Sequence, residues 1–157
     1  MLNIVLIEPE IPQNTGTIGR LCLGIGANLI LVGKLGFSLS EKAVRRAGLD
    51  YWKEVKATQF ASIEEVIQNG NRENIFFFTA REGKIFTEAE YTKDCFLIFG
   101  CESEGFDIEV REKFKERLFY IPTNVNIRSL NLSNAVSIVA YQALIKTNLI
   151  NNLSCKH

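Results

Sequence analysis

Apolar residues fall along this chain in short runs, separated by stretches with helical spacing. LNIVLI (2–7) reads as a buried strand and LILVG (29–33) as a second, shorter one. EVKATQF (54–60) reads as an extended segment. NIFFFTA (74–80) and CFLIFG (95–100) are near-continuous apolar runs bounded by turn residues, the pattern of central strands covered on both faces. LFYIP (118–122) is a last strand, stopped by Pro122. Between these runs the period changes. NTGTIGRLCLGIGA sets Ile18, Leu21, Cys22 and Ile25 on one helical face. LSEKAVRRAGLD is a helix with Ser40 at its start and Gly48 near its end. SIEEVIQNG is a short helix ended by Gly70, and DIEVREKFKERL an exposed one of alternating charge. In the final helix Val136, Val139, Ala140 and Ala143 form a stripe that Tyr141, Leu144 and Ile145 broaden, wide enough for two neighbours.

About six strands and five helices in alternation give an α/β domain with a mostly parallel sheet. The 157 residues suit one domain, spanning 1–157, and no repeat or linker divides it. With 46% hydrophobic and 23% charged residues, the profile is globular. Lys+Arg and Asp+Glu number 18 each, so any basic face has to be local. The first apolar run has no basic segment before it and is broken by Glu8 and Pro9, so it reads as a strand and not a signal peptide. No run of about 18 apolar residues predicts a membrane span. Cys22, Cys95, Cys101 and Cys155 match neither a zinc site nor a disulfide framework and read as reduced thiols of a cytoplasmic protein. The single histidine, His157, is the last residue, which argues against Ser-His-Asp and Cys-His chemistry.

Ligands of parallel α/β sheets sit in the loops that follow the strands. Three such loops are rich in chemistry. EPEIPQNTGTIGR follows the first strand; Asn14, Thr15 and Gly16 open a helix and Arg20 lies one turn in. Helix capping explains Asn14 alone, while a helix start with Gly and Arg also suits an anion. GCESEGF brackets Glu102 between Gly100 and Gly105, as a strand-to-helix turn or as backbone that meets a ligand closely. PTNVNIRSLNLSN crowds Asn126, Arg128, Ser129, Asn131, Ser133 and Asn134 before the last helix, where one N-cap needs one side chain. No P-loop is present, and GIGA (24–27) follows a helix and not a strand, so it is no dinucleotide fingerprint. Pattern alone supports an α/β domain binding a small polar ligand across three loops.

Those loops, in this order, resemble the three motifs of the SPOUT superfamily of RNA methyltransferases, at 14–20, 99–106 and 121–136. The likeness is greatest to the small tRNA wobble-position 2′-O-methyltransferases, and extends to MLNIVLIEPEIPQNTGTIGRLC and RRAGLDY (45–51). It implies a SPOUT α/β-knot, a mostly parallel six-stranded sheet flanked by helices with a carboxyl-terminal trefoil knot. It also implies a homodimer and S-adenosylmethionine as methyl donor, with no metal and no membrane. By resemblance, cofactor contacts fall on Phe78, Thr79, Gly100, Glu102, Ile121, Ser129 and Leu130. Arg20 matches the arginine credited with activating the ribose hydroxyl. Asn14, Arg45, Arg46, Arg128, Asn131 and Ser133 fall on the side of the RNA. Two departures stand out: Cys101 replaces a common proline, and Ile127 a small polar residue.

The implied activity is 2′-O-methylation of the wobble cytidine or modified uridine in a tRNA anticodon loop, leaving S-adenosylhomocysteine. The alternatives are ribosomal RNA as substrate, or a nucleotide-binding regulator without catalysis. Lys42, Arg45, Arg46 and Lys53 beside Tyr51 and Trp52 make a local RNA-binding patch, although Trp52 by itself reads as core.

Overall fold

The computed structural model describes residues 1–37, 51–69 and 72–154. The helix expected from LSEKAVRRAGLD, with Arg45 and Arg46, lies outside the described residues. The strands are β1 (Asn3–Ile7), β2 (Asn28–Val32), β3 (Ala57–Phe60), β4 (Ile75–Thr79), β5 (Lys84–Ile85), β6 (Phe96–Phe99) and β7 (Leu118–Tyr120). The α-helices among the described residues are α1 (Pro12–Ile25), α2 (Ile63–Asn69), α3 (Ile108–Lys113) and α4 (Leu132–Lys146).

All strands pair in parallel, in the order β3-β2-β1-β6-β4-β7-β5. Period-2 alternation sends each strand's apolar residues to two cores. Ile4, Leu6, Leu29, Leu31, Phe76, Phe78, Leu97 and Phe99 face α1 and α4. Val5, Ile30, Val32, Phe77 and Ile98 pack with Ile63 and Val66 of α2 and with Phe106 and Phe114 on the other side. Burial on both faces is why the central strands read as unbroken apolar runs.

Among the described residues seven strands form the sheet, where six were expected. The extra one, β5, has two residues and no periodic signal; it exists only through its pairing with β7. That pairing determines the topology. β7 lies between β4 and β5, which are consecutive in the chain, so the 80–83 connection spans the slot that β7 fills. Gly83 sits at this crossing with φ +102°, and a Cβ there would overlap the Leu118 carbonyl. Beyond β7 the chain stays against the connection, where Arg81 Nη2 donates to the Ile127 carbonyl at 2.9 Å. This is the region in which the resemblance places the knot.

Two helices begin or end differently from expectation. α1 starts at Pro12, because proline presets φ for the first helical position, and so Asn14 is inside the first turn and caps nothing. The charged helix after β6 is short; its last turn tightens into a 3-10 segment at Lys115–Arg117.

Candidate active-site cleft

The carboxyl ends of β4, β6 and β7 converge on one cleft of about 620 Å³. Phe78, Thr79, Gly100, Glu102, Ile121, Ser129 and Leu130, from three separate loops, all line it, together with Arg128 and Asn131. The volume lies within the range of small-molecule sites, about 300–1,000 Å³. Its floor is apolar: Phe78 stacks on Phe99 with ring centroids 5.0 Å apart. Its rim is polar, with Ser129 exposed.

A continuous hydrogen-bond network holds the walls. Glu102 Oε2 accepts from the Glu10 amide at 2.8 Å. Its Oε1 accepts from the Ile11 amide at 3.2 Å and from Asn14 Nδ2 at 3.0 Å. Asn14 Oδ1 then accepts from Asn131 Nδ2 at 3.0 Å. Asn131 is the N-cap of α4; its Oδ1 accepts from the Ser133 amide at 2.9 Å, from Ser133 Oγ at 2.7 Å and from the Asn134 amide at 3.4 Å. Arg128 Nη2 donates to the Ser103 carbonyl at 2.6 Å. Thr79 Oγ1 closes its own turn, donating to the Glu82 carbonyl and accepting from the Glu82 amide.

The network explains the surplus of polar side chains before α4. Asn131 and Ser133 are joined to each other, and Asn131 reaches Asn14 across 117 positions of sequence. Their polar atoms hold loops together. Ser129 and Arg128 stand on the cleft wall. Replacing Asn131 by Ala removes the α4 cap and leaves Asn14 Oδ1 without its donor. We expect a loss of about 1–2 kcal/mol, read from the urea midpoint of unfolding; an unchanged midpoint would count against the network.

Arg20 stands apart. It is exposed on α1, is absent from the cleft lining, and holds its Cζ 5.4 Å from the Tyr51 ring centroid. Trp52, the neighbour of Tyr51, is half-buried against the main core, as its size predicted, and packs so closely on Gly19 that a Cβ there would come within 2.8 Å of its ring. The described cysteines Cys22, Cys95 and Cys101 are unpaired. Burial pushes the Cys22 and Cys95 thiols up to about 12, so neither serves as a nucleophile near neutral pH.

This geometry has relatives. The model of the SpoU rRNA Methylase family matches residues 1–141. The chain belongs to the SpoU rRNA methylase family. Among its relatives, the Escherichia coli K12 tRNA (cytidine(34)-2′-O)-methyltransferase is 38% identical over 144 residues, covering 91% of this chain and 92% of that protein. The enzyme of the same description from Saccharophagus degradans is 39% identical over 144 residues, covering 91% and 94%. A solved structure concerned with 2-OH methylation of C/U34 on tRNA superposes with a TM-score of 0.85 at 39% identity, covering 93% of this chain and 95% of that one.

Within this SpoU domain, several cleft residues carry no sequence signal that singles them out. Arg81, Glu82 and Arg111 line the rim, and Arg111 Nη1 meets Glu82 Oε1 at 2.7 Å. Each sits in a stretch that reads as ordinary turn or exposed helix. Arg81 and Glu82 lie in the loop directly after β4, and α3, which follows β6, brings Arg111 to meet them.

Proposed function

We propose that this protein transfers a methyl group from S-adenosylmethionine to the ribose 2′-hydroxyl of the tRNA wobble nucleotide, cytidine or modified uridine. The observation that carries this reading is that three loops far apart in sequence form one cleft, in a chain matching wobble-position enzymes over nine-tenths of its length. The cleft fits the cofactor in size and in character, with an apolar floor and strand-end backbone around it. Phe78, Thr79, Gly100, Ile121, Ser129 and Leu130 would hold it, and Glu102 would do so through the backbone that its carboxylate fixes. When bound, S-adenosylmethionine supplies an electrophilic sulfonium methyl group, and S-adenosylhomocysteine is left.

The chain's own task is alignment and charge stabilisation. A guanidinium keeps its proton at neutral pH. Arg20 therefore binds phosphate or the hydroxyl and stabilises the oxyanion that develops there. Arg45 and Arg46 serve as phosphate contacts. Acting on tRNA, the protein works in the cytoplasm; no helix among the described residues is long and apolar enough to cross a membrane.

A homodimer accounts for two further features. Ile11 at the cleft and Arg20 are nine positions apart, about 13.5 Å of helix at 1.5 Å per residue. Ile138, Tyr141 and Ile145 of α4 are 40%, 44% and 56% exposed, although the opposite face of the same helix is buried. A second subunit on this face would cover them and bring the partner subunit's Arg20 toward the cleft. The double variant Ile138→Glu, Ile145→Glu is expected to sediment as a monomer and to lose activity at least tenfold. A fully active monomer would contradict the dimer reading. The whole reading is tested by calorimetry with S-adenosylmethionine followed by methyl transfer to bulk tRNA; no cofactor binding by the intact protein would end it.

A further inference from the structure

Two glutamates clasp the loops after β1 and β6, each bonding the other loop's backbone. Glu102 accepts from the amides of Glu10 and Ile11 at 2.8 and 3.2 Å. In return, Glu10 Oε2 accepts from the Ser103 amide at 2.9 Å, and Glu10 Oε1 from Ser103 Oγ at 2.7 Å. Ser103 is thus held on its donor side by the first loop. Its carbonyl is held by Arg128 of the third loop at 2.6 Å. Both Ser103 and Ile11, the residues on either side of the clasp, line the cleft.

Glu10 is itself well anchored. The Gly36 amide donates to the Pro9 carbonyl at 3.0 Å. A Cβ on Gly36 would come within 2.9 Å of Glu10 Cα, so the turn after β2 presses against the Glu10 backbone. The loop after β6 is also closed on itself: Gly105 N donates to the Cys101 carbonyl at 3.0 Å, and a Cβ at Gly100 would overlap Gly105. A preformed turn is therefore docked by its tip onto a fixed support: backbone amides and Asn14 of the support hold Glu102, and the Glu10 carboxylate holds Ser103.

We infer that Glu10 is a positioning residue which sets the Glu102–Ser103 wall of the cleft in its cofactor-accepting shape before the cofactor arrives. The inference rests on the proposed function. Physically, a wall held in place loses no freedom on binding, whereas a released wall has to be ordered by the ligand. Release therefore weakens cofactor binding and leaves the chemical step intact once the cofactor is saturating. Charge-assisted hydrogen bonds are about twice as strong as neutral ones, so removing both is visible in affinity.

The test measures the dissociation constant for S-adenosylmethionine by calorimetry, with KM and kcat for methyl transfer, in the full-length protein. Glu10→Ala is expected to raise the dissociation constant and the cofactor KM about tenfold while kcat at saturating cofactor stays within about twofold. Glu10→Gln keeps one acceptor and is expected to recover most of the loss. Ser103→Ala removes only the hydroxyl donor and is expected to raise the constant about threefold. If Glu10→Ala does not fold, Ser103→Ala decides. Unchanged cofactor affinity in Glu10→Ala, or in Ser103→Ala where Glu10→Ala does not fold, overturns the inference alone, even with a lower melting temperature. A fall in kcat with unchanged KM also overturns it. An intact protein that binds no S-adenosylmethionine overturns the proposed function and, with it, this inference.

Discussion

Arg20→Ala is expected to reduce methyl transfer to tRNA by about 10²–10³-fold or more while S-adenosylmethionine binds as before. The two halves of this result come from different observations. Arg20 is the cation of the first loop pattern; because α1 starts at Pro12 it lies more than two turns into the helix, and no histidine stands among the described residues to share its work. It is also absent from the cleft lining, so its removal leaves the cleft walls unaltered. The fold survives as well, since among the described residues the side chain gives up one cation–π pair, with the half-buried Tyr51, worth about 0.5–1 kcal/mol. Arg20→Lys is expected to recover only part of the rate, because an ammonium lacks the planar fork that meets phosphate or hydroxyl in two places. Single-turnover kinetics at saturating cofactor, with calorimetry on the same samples, separate the two quantities. A near wild-type rate would remove Arg20 from the mechanism.

Gly83→Ala is expected to be the most damaging single-methyl change among the described glycines, with a stability loss of about 4 kcal/mol or more. Two independent faults coincide there. The backbone has φ +102°, which L side chains rarely adopt, and the new Cβ would occupy the space of the Leu118 carbonyl. Neither neighbour can yield easily. Leu118 is a β7 residue paired to Phe77 of β4 and is buried in the second core. Residues 84–85 are paired to β7 on the other side. Relief requires opening the β4–β7–β5 arrangement on which the cleft is built, so cofactor binding is expected to fall with stability. Gly24→Ala is the control, because a Cβ there meets nothing within 4 Å, and Ala is the better helix former. Equal urea midpoints for the two variants would contradict the steric role given to the crossing.

The same crossing marks the limit of what the sequence reveals. Central strands, the buried face of α1 and the Val136–Ala143 stripe are local periodic signals, and each is where the pattern put it. β5 is not a local property. Lys84 and Ile85 become a strand only because a segment more than thirty residues later is laid beside them. The cleft divides in the same way. Loops after strands could be picked out from the chain, and residues from all three of them meet. What each side chain bonds to was hidden. Asn14 resembles a cap but lies inside the first turn, because Pro12 starts the helix earlier, and its partners are Glu102 and Asn131. Glu10 carries no helical or strand signal, yet it grips Ser103 across 93 positions. Polar residues in loops are legible as a surplus, and their assignment to partner or ligand needs the fold.

Everything proposed for this protein turns on the position and chemistry of the methyl group. Both are read directly by incubating purified protein with S-adenosylmethionine and unmodified tRNA, then mapping methylation nucleotide by nucleotide, with ribosomal RNA treated in parallel. A single methyl on the ribose 2′-oxygen of the wobble nucleotide is expected, absent with Arg20→Ala. A methyl group on a base, at another tRNA position, or in ribosomal RNA with the tRNA left unmodified would contradict the proposed function.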